Sequence, residues 1–247
     1  MNDVVVIGNQ GVGKTSMVLT LAEQKTEHIE FVDPNVQKYY NPDTGIAAGT
    51  FRKEEETFLV NVNLLGGQRQ IQVRWIDTPG EAWSDKNWKK NNEKAWLDIK
   101  QEVSQSQGVL LLLEPHRSMV KPKLLEEPTQ EDDFPRPQAW ANNLEDWLTF
   151  FEQNCSKATH ILLSIHKADL FCDLNAEAKR WEYRFGKISW ANYSDYVFKQ
   201  YFSNASNIIM NYNRKHRVQL QFFITTINSS SLLELPWIYL SSYIANN

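Results

Sequence analysis

The chain has 247 residues, 42% hydrophobic and 23% charged, which allows one large or two small globular domains with a sizeable core. Its 26 Lys and Arg against 30 Asp and Glu leave a formal net charge of −4, and the absence of a basic cluster argues against broad nucleic-acid binding. Cys155 and Cys172 are the only cysteines, so neither a disulfide framework nor a zinc site is expected. No run approaches the ~18 apolar residues of a membrane span. Met1-Asn2-Asp3 matches no leader or myristoylation signal and Ala245-Asn246-Asn247 no prenylation box, so the expectation is a cytoplasmic protein without a membrane anchor.

Taken in order, the chain alternates strands and helices. A first strand over about Asp3 to Ile7 runs into Gly8-Asn9-Gln10-Gly11-Val12-Gly13-Lys14-Thr15, and the helix after it turns Met17, Val18 and Leu21 inward. Residues 26 to 49 read as a long loop with turn signals at Asp33-Pro34 and Asn41-Pro42-Asp43-Thr44-Gly45. Phe58, Val60, Val62 and Leu64 then alternate, as do Ile71, Val73 and Trp75, with Gly66-Gly67-Gln68 between them; this is a hairpin ending in Ile76-Asp77-Thr78-Pro79-Gly80. Trp88, Ala95, Trp96, Ile99 and Val103 predict a helix, and Gly108 to Leu113 a strand buried on both faces.

Residues 114 to 137, rich in proline and acid, read as an inserted surface loop before a helix marked by Trp140, Leu144, Trp147, Leu148 and Phe151. A strand over Thr159 to Ile165 leads to His166-Lys167-Ala168-Asp169, and residues 170 to 191 give no clean period and read as a second insertion. Helical spacing returns at Tyr196, Val197, Tyr201, Ile208 and Tyr212, and the last strand is Val218 to Thr225. Ser231-Leu232-Leu233-Glu234 matches a capping box; since Pro236 would then fall inside the helix, Pro236 is the alternative start. The expected fold is a single three-layer α/β domain over residues 1–247. It has a mostly parallel six-stranded sheet, one antiparallel hairpin strand and helices on both faces.

Three stretches carry chemistry. Gly8 to Thr15 fits G-x-x-x-x-G-K-[ST] between a strand and a helix, a glycine-rich turn whose backbone N–H groups (Gly8, Gln10, Gly11, Val12, Gly13, and on to Ser16) would cradle phosphates. Lys14 would give the β- and γ-phosphates a point charge rather than pack, and the Thr15 hydroxyl would ligate Mg²⁺. Asp77-Thr78-Pro79-Gly80 closes a strand 63 residues after Lys14 (77 − 14), so Asp77 can reach that Mg²⁺ through its water shell and the Gly80 N–H can approach a γ-phosphate. His166-Lys167-Ala168-Asp169 ends an apolar strand, on the edge where open α/β sheets bind ligands. An Asp169 carboxylate there can accept from guanine N1–H and N2–H₂, whereas adenine offers an acceptor at N1. The Lys167 stem can lie across the base.

This set, in this order, resembles the Ras-like GTPase domain of the translation-factor-related class over nearly the whole chain. Asp77-Thr78-Pro79-Gly80-Glu81 is similar to bacterial small-GTPase-like proteins of conflict or signalling systems. The resemblance implies GTP or GDP with Mg²⁺, a switch threonine before the hairpin (Thr44 is most similar, with Thr50 as rival), and a base-contacting loop near Thr226-Ile227-Asn228 that lacks the usual small Ser-Ala pair. It also implies protein effectors or regulators at the switch loops. Three positions depart from the pattern: His166 stands where the family has Asn or Thr, and can hydrogen-bond the base edge or brace the phosphate loop. Glu81 stands where many members carry a water-orienting Gln, and Gln10 fills a loop position that is Gly in Ras itself and can obstruct an arginine finger.

The function expected is a nucleotide-dependent molecular switch that hydrolyses GTP slowly, with Lys14, Gly80 and Glu81 at the reaction. The alternatives are an adaptor that holds GTP with negligible hydrolysis, which Glu81 and Gln10 favour, and a P-loop signalling ATPase, against which Asp169 counts. Of the tryptophans near the second switch, Trp88 and Trp96 read as helix residues packing on the sheet. Trp83 reads either as buried or as an exposed partner anchor.

Overall fold

The computed structural model describes residues 3–23, 26–32, 54–77, 83, 86–125, 134–184 and 188–244. Among these, seven strands form one mixed sheet with helices on both faces. They are β1 (Asp3–Gly8), β2 (Ile29–Val32), β3 (Glu54–Leu64), β4 (Gly67–Asp77), β5 (Gly108–Leu113), β6 (His160–Ile165) and β7 (Leu220–Ile224), in the order β2-β3-β4-β1-β5-β6-β7. β4, β1, β5, β6 and β7 run parallel, and β3 is antiparallel to both its neighbours. The helices are α1 (Lys14–Glu23), α2 (Lys86–Asn91), α3 (Glu93–Gln105), α4 (Pro137–Asn154), α5 (Leu174–Trp181), α6 (Trp190–Tyr201), α7 (Ser206–Lys215) and α8 (Ser230–Ile244).

The central strands form because Val4–Ile7, Val109–Leu113 and Ile161–Ile165 are near-continuous apolar runs that need cover on both faces. The hairpin closes through Leu65 and Gly66, with Leu64 paired to Gly67 at φ 107°, a backbone only glycine adopts readily. α8 crosses the sheet and touches β2, β3, β4, β5 and β7. Gly108 lets it seat: a Cβ there would stand 2.6 Å from Ile244 Cδ1 and 3.0 Å from Leu240 Cδ2.

Three expectations are corrected, and a stretch without a clean period, residues 170 to 191, is filled in. The sheet has seven strands rather than six, because Ile29–Val32, inside the expected loop, pairs antiparallel with β3; Ile29 and Phe31 face the core while Glu30 and Val32 face out. Residues 170 to 191 contain α5, capped by the Asp173 carboxylate accepting from Ala176 N, and the start of α6, whose Ser189 hydroxyl accepts from Asn192 N. The single helices expected around Trp88–Val103 and Tyr196–Tyr212 are each two, α2 with α3 and α6 with α7. Finally, the last helix begins at Ser230 and runs through Pro236. Glu234, 3% exposed, is no capping partner: its carboxylate accepts from His28 N at 2.9 Å and pins the start of β2, while the cap carbonyl belongs to Ser229, which accepts from Leu233 N at 3.0 Å.

Candidate nucleotide-binding site

At the C-terminal edge of the sheet, β1 ends in the Gly8–Gly13 turn that opens α1. Gly11 has φ 72° and Gly13 φ 104°, so the turn curls through conformations that side chains resist. Gly8 is required for a second reason, since a Cβ there would lie 2.5 Å from Leu112 O on β5. Val12 is buried beneath the turn, and Gln10 and Gly11 are exposed at its tip. Thr15 and Ser16 fall in the first turn of α1, at the helix N-terminus.

Lys14 is only 4% exposed. Its ammonium donates to Gly8 O at 2.9 Å and Asn9 O at 3.0 Å, folding the side chain back along the turn. The lysine therefore does structural work in the loop, which corrects the reading of a residue that does not pack.

Three residues join this turn to the end of β6. The His166 ring lies against Gly13: a Cβ on Gly13 would come within 2.7 Å of its Cδ2 and 2.9 Å of its Nε2. His166 Nδ1 hydrogen-bonds the Thr225 hydroxyl at 3.0 Å, and that hydroxyl meets Ser164 Oγ at 2.8 Å. Of the two roles open to His166, the geometry is that of a brace, its ring packed on the glycine-rich turn at Gly13. Burial, and then the neighbouring Lys167 charge, push its pKa down to about 4, so the brace is a neutral imidazole at ordinary pH.

Lys167 comes next in the left-handed conformation, φ 60°, the one such non-glycine among the described residues. This turns its side chain toward the first loop, where the ammonium donates to Gly11 O at 2.9 Å. Asp169 sits in the short turn Ala168–Leu170, and its carboxylate accepts from the Thr226 hydroxyl. Thr226 also accepts from Asn228 N at 3.2 Å, and the adjacent Ile227 is 39% exposed beside it.

The structure thus brings Gly8, Gly11, Gly13, Lys14, His166, Lys167, Asp169 and Thr226 to one edge. Asp77 closes β4 two residues beyond Trp75, which pairs with Val6, so its backbone stands level with the start of the turn. Thr44, its rival Thr50, Gly80 and Glu81 lie outside the described residues. Sequence reasoning misses Ser164 and Thr225 as site residues and finds Thr226 only for its backbone. The signal that could have found them is a row of hydroxyls at the ends of β6 and β7, the same edge that carries Asp169.

Trp83 is half-buried rather than a free anchor. Its ring lies 4.2 Å from Trp147, 5.3 Å from Phe150 and 5.4 Å from Trp96. Among the described residues no group of three or more His, Cys, Asp or Glu side chains could hold a metal, and no helix is long and apolar enough to cross a membrane.

No family model and no curated protein matches the chain. A solved structure described as nucleolar GTP-binding protein 1 from Plasmodium falciparum is similar at 12% identity and a TM-score of 0.46, over 99% of this chain and 86% of that one. A likeness that loose carries no argument about what this chain binds.

Proposed function

We propose that the chain is a single guanine-nucleotide-binding domain that acts as a slow GTPase switch. The observation that carries this reading is the direct tie between the two loops. Lys167 holds Gly11 O, His166 packs on Gly13, and Asp169, two residues on, is oriented by Thr226. A loop that grips a phosphate cradle while holding a fixed carboxylate at the same edge suits a ligand with an anionic end and a donor-bearing base.

In this reading the triphosphate lies in the Gly8–Thr15 turn, drawn by N–H groups, the start of α1 and the Lys14 charge. Asp169 accepts from guanine N1–H and N2–H₂, with the Lys167 stem and Ile227 as apolar cover for the base. Mg²⁺ suits the oxygen-bearing residues here, Thr15 in the first turn of α1 and Asp77 at the end of β4. When bound it neutralises phosphate charge. Thr44 then senses the γ-phosphate from the first switch and Gly80 from the second, and effectors or regulators read those loops. Glu81, able only to accept when ionised, puts a negative charge near the phosphate and keeps hydrolysis slow. A cytoplasmic setting goes with this reading.

The experiment is to release and chromatograph whatever nucleotide co-purifies with the protein. Guanine nucleotide is the expected result, whereas bound adenine nucleotide sinks the assignment in favour of the ATPase reading. Recovery of GTP with almost no GDP would instead favour the non-hydrolysing adaptor.

A further inference from the structure

The segment after β5, residues 114 to 125, is more than a surface loop. It is knitted to its surroundings: Glu114 O accepts from Trp140 Nε1 at 2.8 Å, and Arg117 N donates to Pro135 O at 2.9 Å. His116 is buried, with Nδ1 3.0 Å from Ser118 Oγ and Nε2 2.8 Å from Asn204 Nδ2. Val120 is buried beside it, and a short turn over Pro122–Leu124 stiffens the end of the segment.

This rigid strap presents one residue to the loop that carries Asp169. Lys121 N donates to Leu170 O at 3.0 Å, and Lys121 Nζ donates to Asp169 O at 2.8 Å. One residue therefore grips two successive carbonyls of the Ala168–Leu170 turn. The turn needs such a grip, because it comes directly after Lys167, in a left-handed backbone that a side-chain-bearing residue resists. On the other side the Asp169 carboxylate is fixed by Thr226. Asp169 is thus clamped from two directions, by β7's end through its side chain and by the strap through its main chain.

We propose that Lys121 is a positioning residue for base recognition: it acts through Asp169 and sets how sharply the site distinguishes guanine from bases lacking the 2-amino group. The inference rests on the guanine reading of Asp169. A carboxylate that must meet two donors at once is sensitive to small rotations of its backbone. Inosine, which lacks N2–H₂, offers it only one of those donors. Loosening the turn therefore lowers GTP affinity more than ITP affinity and leaves the phosphate contacts alone.

The test compares equilibrium affinities for GTP and ITP, with Mg²⁺, in wild type, Lys121→Met, Lys121→Arg and Lys123→Met, a nearby exposed control on the same strap. Melting temperatures are recorded alongside. In Lys121→Met the GTP-over-ITP preference contracts by roughly three- to tenfold, less than the loss of one charge-assisted hydrogen bond because the carboxylate is loosened rather than removed. Lys121→Arg restores it, and Lys123→Met matches wild type. An unchanged preference in Lys121→Met overturns the proposal, whatever happens to its melting temperature, because a merely structural contact lowers stability without touching base choice. Should Lys121→Met not fold, Lys121→Gln, polar but shorter, replaces it under the same criteria. A wild-type protein with no GTP-over-ITP preference, or no nucleotide affinity, overturns the guanine reading and this inference together, which keeps the two failures distinct.

Discussion

Thr226 donates its hydroxyl hydrogen bond to the Asp169 carboxylate, across 57 positions of sequence and from a different strand end. Thr226 is buried and the bond half-buried, which limits competition from water. One carboxylate oxygen is thereby fixed in direction before any ligand arrives. Thr226→Val keeps the shape and removes the bond. It should weaken GTP binding by about tenfold or more, the scale of a hydrogen bond to a charged acceptor, and lower the melting temperature as well, since Asn228 N loses its acceptor in the same change. Calorimetric titration with GTP checks this.

Gly13 and His166 make a second pair. At Gly13 a side chain meets both a left-handed backbone (φ 104°) and the imidazole within 3 Å, whereas Gly11, at φ 72°, has nothing within 4 Å of its missing Cβ. Gly13→Ala should cost about 3 kcal/mol in denaturant unfolding and Gly11→Ala about 1 kcal/mol. Combining Gly13→Ala with His166→Ala should recover on the order of 1 kcal/mol relative to the sum of the single changes. Strict additivity would mean the ring does not occupy that space.

His166 also makes a pH prediction. Its folded pKa, about 4, lies below the ordinary 6.5 because burial and then the Lys167 charge oppose protonation. The unfolded chain therefore binds the proton more readily, and stability falls as pH drops from 6.5 through 4. The contribution at stake is on the order of 3 kcal/mol. His166→Asn, which can still hydrogen-bond Thr225, should lack that component. His116 and His160, also lowered by burial, titrate in both proteins and cancel in the difference. Unfolding free energies at pH 7 and pH 4 for the two proteins decide it.

Lys14→Ala should abolish triphosphate binding and also destabilise the chain by about 1–3 kcal/mol, because it deletes donors to Gly8 O and Asn9 O in a buried setting. A melt identical to wild type would return Lys14 to the role of a pure point charge.

Single-turnover hydrolysis tests Glu81. Wild type should turn over on the order of 10⁻³ s⁻¹ or slower without a partner, and Glu81→Gln should be faster, since an amide can accept from water and donate to a phosphate oxygen at once. A fast wild type slowed by Glu81→Gln would make Glu81 a working base instead.

The glycine-rich turn, the buried strands and the hairpin are legible because each rests on local chemistry: glycine spacing, continuous apolar runs, alternation around a Gly-Gly turn. β2 is not, since four residues are too short to display a period and its pairing partner lies some 30 positions downstream. α5 escapes because Trp181 and Tyr183 obscure the period, although Asp173 and Ser189 are readable as caps. Ser231-Leu232-Leu233-Glu234 misleads because the glutamate serves His28, 206 positions away, rather than its own helix. The choice between the two roles of His166 depends on where a ring falls relative to Gly13, which spacing does not encode. Lys121 looks like one more charge in a polar insertion. Its meaning lies in two carbonyls 48 and 49 positions on.

The most direct measurement of the central claim is base choice at Asp169. Wild type and Asp169→Asn are titrated with GTP and with xanthosine triphosphate in the presence of Mg²⁺. An asparagine amide can present a donor where xanthine offers an oxygen, so the preference for GTP should fall by about tenfold or more and pass toward xanthosine triphosphate. If Asp169→Asn keeps the wild-type preference, or if wild type binds neither nucleotide, Asp169 reads no base and the account of this edge as a guanine-nucleotide site is wrong.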